Sequence, residues 1–225
     1  MENSTALSPA QPNELDDAVA ELMAATQFPD LTQETGPGRH EPLIELSDGT
    51  LCPILTETEF SIETIAHSLA LECRFGKQSK YFYSVAQHSI LVSKVMERMR
   101  DADPFEGLMH DAAEFIMGDL ATPIKYSCAD YLDLERDLQR RINRCFGLPD
   151  QKSKLCHRAD KYAMFMEAYH LLPSKGATLQ DELGIRMHSL EILRSFDIWL
   201  APMGPDTARS WFLYTYHQLT KEYRQ

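Results

Sequence analysis

Val85-Ala-Gln-His88-Ser-Ile-Leu91-Val92-Ser-Lys-Val95-Met-Glu-Arg-Met99-Arg100, followed after a short break by Asp103-Pro104-Phe-Glu-Gly-Leu108-Met-His110-Asp111, decides how the chain is read. The first run has the helical period, so Leu91, Val92, Val95 and Met99 share a face with His88. An imidazole on that apolar face needs a partner, because an unpaired buried polar group is costly. Asp103-Pro104 opens the next helix as a cap and an N1 proline, and that helix carries Leu108, His110 and Asp111. Adjacent helical residues point about 100° apart. His110 and Asp111 therefore reach one ion only at the edge or end of a helix.

Upstream, Ser61 caps a helix whose apolar positions are Ile62, Ile65, Ala66, Leu69, Ala70 and Cys73. His67 on this helix reads as structural. Before it, Pro42 to Leu55 is strand-like, with Leu43, Ile44 and Leu46, the turn Ser47-Asp-Gly-Thr50, then Leu51 and Ile54. Asp-Gly between such runs predicts a hairpin. Downstream, a break falls between Gly118 and Pro123. A helix over Ala129–Phe146 has the apolar stripe Leu134, Leu138, Ile142 and Cys145. Its charged row, Asp133, Asp137 and Arg141, reads as a solvated face with an i,i+4 pair. The next helix, Ser153–Leu171, carries Leu155, Ala159, Tyr162, Ala163, Met166 and Tyr169 and places Asp160 beside Ala159 and Ala163. Two more helices are predicted over Leu183–Leu200 and Asp206–Tyr223. Residues 1–40 read as a flexible acidic extension, with room for a short helix at Asp16–Ala25. Residues 41–225 read as one domain, an all-α helical bundle with a small N-terminal β-hairpin.

A chain of 225 residues with 44% hydrophobic residues holds one sizeable core. The net charge of -12 and a pI near 5.1 argue against a stable nucleic-acid complex. The acid is uneven: residues 1–72 hold 14 of the 34 acidic side chains and one basic one, Arg39. Five cysteines, widely spaced and without a CxxC pair, suit small core or near-surface residues rather than a disulfide framework. The N-terminus lacks an apolar signal stretch, and no run reaches the roughly 20 apolar residues of a membrane span. The expectation is a cytoplasmic protein that makes no membrane contact.

His88, His110, Asp111 and Asp160 thus come from three helices of one bundle. Imidazole nitrogens and carboxylate oxygens suit a divalent transition metal such as cobalt, zinc or manganese. The competing reading is a set of unrelated hydrogen-bonded residues. Glu114, three residues past Asp111, faces the same side of its helix.

Five stretches resemble the HD-domain phosphohydrolases, whose motif is H…HD…D: Cys73-Arg-Phe-Gly76, Tyr83-Ser-Val-Ala-Gln-His88-Ser, Met109-His-Asp-Ala-Ala-Glu114, Gly118-Asp-Leu-Ala-Thr-Pro-Ile-Lys125 and His157-Arg-Ala-Asp160. Within that superfamily they are similar to compact bacterial 5'-deoxynucleotidases and phage deoxyadenosine-triphosphate triphosphohydrolases, over about Thr50–Leu200. The resemblance implies an HD-type bundle in which His88, His110, Asp111 and Asp160 hold the ion, with magnesium as an admissible second ion. It implies acid/base chemistry by Glu114, Asp119 near the 5'-oxygen and sugar, and a phosphate grip by Arg74. Phe75 stands where the bacterial nucleotidases have tryptophan. Lys77, Lys80 and Lys125 are candidate phosphate contacts, or else surface lysines. Gln87 replaces a glutamate common in the motif, which implies one negative charge fewer near the metal.

The implied activity is metal-dependent hydrolysis of (2'-deoxy)nucleoside 5'-phosphates, with dATP to deoxyadenosine plus triphosphate as the leading form. The alternatives are a 5'-deoxynucleotidase acting on dNMPs and a non-catalytic nucleotide-binding module. Relatives of this kind form homodimers or higher symmetric homo-oligomers. The compartment would be the host cytoplasm if the chain is phage-encoded. Of Tyr81, Phe82 and Tyr83, at least two are expected in the core. His157 reads as a surface or supporting residue. Phe196, Trp199, Trp211, Phe212, Tyr214 and Tyr216 either form an interface or finish the core.

Overall fold

A computed structural model describes residues 42–56, 58–177 and 195–223. The extension, with its possible helix at Asp16–Ala25, and most of the helix expected over Leu183–Leu200 lie outside the described residues. The elements are β1 (Leu43–Glu45), β2 (Leu51–Pro53), α1 (Ile62–Leu71), α2 (Val85–Met96), α3 (Pro104–Met109), α4 (Glu114–Met117), α5 (Thr122–Lys125), α6 (Ala129–Cys145), α7 (Lys154–Leu171), α8 (Asp197–Leu200) and α9 (Pro205–Tyr223). The described chain is mostly helical with one small antiparallel hairpin. In that hairpin Ile44 pairs with Cys52, and the turn holds Gly49 at φ 82.

α2 is the axis of the fold. It packs against α1, α3, α7, α8 and α9, and all of its residues but Lys94 are buried. A helix enclosed on every side does not show one apolar stripe, which is why its serines, Gln87 and His88 are inside. Ser84 caps it by accepting from the Gln87 amide. The predicted end at Arg100 is four residues too far. After Met96 the chain tightens into i→i+3 turns, Arg98 N to Val95 O and Met99 N to Met96 O, a common way to close a helix.

α3 lies close against α2 through Gly107. A Cβ there would stand 2.8 Å from Met96 Sδ and 3.1 Å from the Ser93 backbone. The predicted single helix through His110-Asp111 is broken. α3 stops at Met109, and α4 restarts at Glu114. The α6 residue Gln139 holds the break open: its amide oxygen accepts from Ala113 N at 2.8 Å, and its amide nitrogen donates to Met109 O at 2.9 Å. Backbone groups freed by the interruption are thereby satisfied.

Three further expectations are corrected. Cys145 is exposed rather than part of the α6 stripe, and Tyr162 is exposed on α7, where Cys156, Phe165 and Ala168 face inward instead. Arg141 is 4% exposed, not part of a solvated face. It pairs with Asp137 at 3.1 Å as the spacing implies, but its guanidinium also donates to the carbonyls of Thr56 and Ile54. The segment leaving the hairpin has no regular partner for those carbonyls, and the guanidinium fork supplies one.

Hydrogen bonds to a charged group contribute about 1.5–3 kcal/mol each. Arg141→Met is expected to lower stability by at least about 2 kcal/mol in urea unfolding. Asp137→Ala, which removes only a half-exposed ion-pair partner, should cost less than about 1 kcal/mol.

Candidate metal centre

α2 carries His88 into the core with no exposure. Its Nδ1 lies 2.8 Å from Glu167 Oε1 on α7, and Glu167 is also fully buried. The other Glu167 oxygen accepts from Arg74 Nη2 at 3.3 Å, and Arg74 Nη1 lies 3.8 Å from Asp119 Oδ2. With Nδ1 directed at a carboxylate, His88 presents Nε2 as the ligand atom. His110 is oriented the same way. Its Nδ1 lies 2.9 Å from the Gly107 carbonyl, so its Nε2 faces His88 Nε2 at 3.3 Å.

Two carboxylates close the group. Asp111 Oδ2 is 2.9 Å from His110 Nε2 and 3.6 Å from His88 Nε2. Asp160 Oδ1 is 3.2 Å from His88 Nε2 and 3.7 Å from His110 Nε2. One ligand atom of each residue lies within 4.8 Å of all the others. Ligands about 2.0–2.2 Å from a tetrahedral ion stand roughly 3.3–3.6 Å apart, so this group can hold a metal ion. His110 and Asp111 meet it because they sit at the interruption between α3 and α4, as the sequence argument required of adjacent ligands.

The electrostatics show the same need. Burial and the Arg74 charge would lower the His88 pKa, yet Glu167 and the Asp160 hydrogen bond raise it to about 9. Burial would raise Asp111, but the charges of His110 and Lys152 hold it well below the usual carboxylate range. Asp160 is likewise held low against its burial, by hydrogen bonds from His110 and His88. These carboxylates draw a proton onto an imidazole, and a divalent ion replaces that proton with more charge.

Glu114 opens α4 at the rim of the group and is buried. Desolvation, then the charges of Asp111 and Asp119, push its carboxyl well above the ordinary range. One of its oxygens accepts from Lys125 Nζ at 3.3 Å, while Oε2 is buried without a hydrogen-bond partner among the described residues. Lys125 also donates to Glu135 at 2.6 Å. Asp119 follows Gly118, which turns the chain at φ 74, and its amide donates to Glu72 Oε1. Phe75 and Lys77 both have positive φ, flanking Gly76, and the half-buried Phe75 ring lies 5.5 Å from the Arg74 guanidinium carbon. Non-glycine residues in that region are strained, and such strain concentrates at functional sites.

The other candidate residues divide between core and surface. Tyr83 alone of the three aromatics is buried, its hydroxyl donating to Trp199 O; Tyr81 and Phe82 are exposed. Lys77 and Lys80 are exposed. Gln87 points away from the group, donating to Ala201 O and accepting from Met203 N, so a glutamate there would not add charge beside the histidines. His157 is exposed and outside the group. Phe196 and Phe212 complete the core, whereas Trp211 and Tyr214 are exposed. Sequence reasoning missed Glu167, Lys152 and Glu135. Glu167 had a signal: it lies two helical turns beyond Asp160, on the same face. Lys152, in a loop, had none.

The chain is 38% identical over 104 residues to an uncharacterized protein of Rhodobacter capsulatus, covering 42% of this chain and 52% of that protein. It is 36% identical over 106 residues to the uncharacterized protein YfdR of Escherichia coli K12, covering 47% of this chain and 58% of YfdR. The chain thus spans about half the length of these curated relatives. Neither name describes an activity, and no protein-family model matches the chain.

A ligand that binds only the folded state stabilises it by about 2.7 kcal/mol at a hundred times its Kd. Mn2+ or Co2+ at that level should raise the thermal midpoint of the protein. Asp111→Ala should abolish both the shift and the binding heat in calorimetry. A full shift in that variant would remove Asp111 from the ligand set.

Proposed function

We propose that the protein is an HD-type phosphohydrolase that cleaves (2'-deoxy)nucleoside 5'-phosphates, with a deoxynucleoside triphosphate such as dATP as the leading substrate. The observation that carries the hydrolytic reading is Glu114. A site that merely held a metal for structure would not need a buried carboxylate beside the ligands with one oxygen unpartnered. The nucleotide class rests on the sequence resemblance. A divalent ion bound by His88, His110, Asp111 and Asp160 would supply Lewis acidity and lower the pKa of water.

The remaining work falls to side chains. Glu114, whose carboxyl is pushed above its ordinary range by burial and the charges of Asp111 and Asp119, would give a proton to the leaving 5'-oxygen as the phosphorus–oxygen bond breaks, and recover one from the attacking water. Lys125, 3.3 Å from Glu114, brings positive charge to the phosphoryl side. Asp119, anchored by its amide to Glu72, would hold the sugar, as the sequence resemblance implies. Arg74 is committed to Glu167 and Asp119, so it orients both carboxylates and grips phosphate only if those contacts loosen. The exposed Lys77 and Lys80 remain to meet outer phosphates.

The test is a panel of ribo- and deoxynucleoside mono-, di- and triphosphates with Co2+, Mn2+ and Zn2+, reading phosphate, pyrophosphate and triphosphate separately. Release of triphosphate from dATP is expected. Phosphate from dNMPs alone would select the 5'-deoxynucleotidase form. A metal-loaded protein inert on the whole panel would leave only the binding-module reading. Glu114→Gln should keep metal affinity within a few fold while kcat falls about 10²–10⁴-fold, the range of acid/base catalysis.

A further inference from the structure

Among the described residues, Lys152 is the lysine that pairs with both Asp111 and Asp160. Its Nζ lies 3.2 Å from Asp111 Oδ1 and 3.8 Å from Asp160 Oδ2. These are not the oxygens that face the histidines, which are Asp111 Oδ2 and Asp160 Oδ1. Each ligand aspartate therefore turns one oxygen inward to the imidazoles and the other to the same ammonium. In two-metal sites the ions stand about 3.5–4 Å apart and share such carboxylates. Lys152 takes up the outer oxygen of both carboxylates, for which a second ion would have to compete.

The lysine is also held there. Its neighbour Ser153 caps α7 and is clamped by Glu106 of α3, its amide at 2.5 Å and its hydroxyl at 2.7 Å from that carboxylate. The backbone of residue 152 is thus fixed next to the centre. A mostly buried ammonium persists only with anionic partners, and among the described residues Asp111 and Asp160 are its ion-pair partners.

We propose that Lys152 is a built-in substitute for a second cation, and that it limits the centre to one divalent ion per chain. The proposal rests on the metal reading of His88, His110, Asp111 and Asp160. It sets aside the second, magnesium-type ion that the sequence resemblance admits. The ammonium neutralises the outer oxygens, repels a further ion and leaves the inner oxygens aimed at one position.

Metal content decides it, independently of turnover. The metal-stripped full chain is titrated with Mn2+ to millimolar concentration, with bound metal counted by elemental analysis and spin coupling read by electron paramagnetic resonance. Wild type is expected to bind one equivalent and give an uncoupled signal. Lys152→Glu, which replaces the cation with a ligand, is expected to bind two and give an exchange-coupled signal. Lys152→Met, which keeps the length and drops the charge, should take a second, weaker equivalent and serves if the glutamate variant does not fold. Two equivalents in wild type would overturn the role of Lys152 while leaving the metal site standing. One equivalent in wild type and in every folded variant would overturn it as well. No bound metal in wild type would instead sink the metal reading itself.

Discussion

A fully enclosed imidazole with a committed Nδ1 is the constraint on which the rest of the site is built. His88 sits in the first turn of α2 with no exposure, so both of its nitrogens must be satisfied by protein or by a cation. Glu167 takes one. That carboxylate is itself buried and needs a counter-charge, which Arg74 provides. Arg74 in turn reaches Asp119 in the loop before α5. A single polar group in the axial helix thus fixes a chain of charges running from α7 to the loop before α5. Its free end, Nε2, is directed at His110.

The sum of charge explains why the group could hold a cation. Asp111, Glu114, Asp119, Asp160 and Glu167 are drawn together against Arg74, Lys125 and Lys152. More carboxylates than cations are enclosed in a small volume, and the protein by itself answers by moving protons: His88 rises to about 9 and Glu114 rises above its ordinary range. Enclosure of like charge costs several kcal/mol unless compensated. A cation at the inner oxygens is the least expensive compensation.

Much of this was legible in the sequence, for specific reasons. The hairpin was visible because Asp48-Gly49 sits between two apolar runs, and α1 because Ser61 precedes a 3.6 period. The four ligand residues were visible because two imidazoles and two carboxylates on apolar faces demand partners. The end of α2 and the split of α3 from α4 were not visible, since local propensity over Asp103–Met117 is continuous and the interruption is held by Gln139, a residue distant in sequence. Arg141 looked solvated because its partners, Ile54 and Thr56, are carbonyls, which sequence patterns do not mark. Lys152 was hidden for a similar reason: a lysine in a loop has no period. The assignment of Gln87 failed because adjacent positions on an enclosed helix face different neighbours.

α6 has a role that follows from these long-range contacts. Along one helix, Glu135 bonds Lys125, Gln139 bridges the gap at Met109 and Ala113, and Arg141 receives the segment leaving the hairpin. It behaves as a ruler laid along the molecule, setting the spacing of three otherwise unrelated loops. Slow hydrogen exchange at the Ala113 amide should therefore be governed by undocking of α6 rather than by fraying of α4. Loosening that one helix would release Lys125, the turn that carries His110 and Asp111, and the segment leaving the hairpin together as a single cooperative unit.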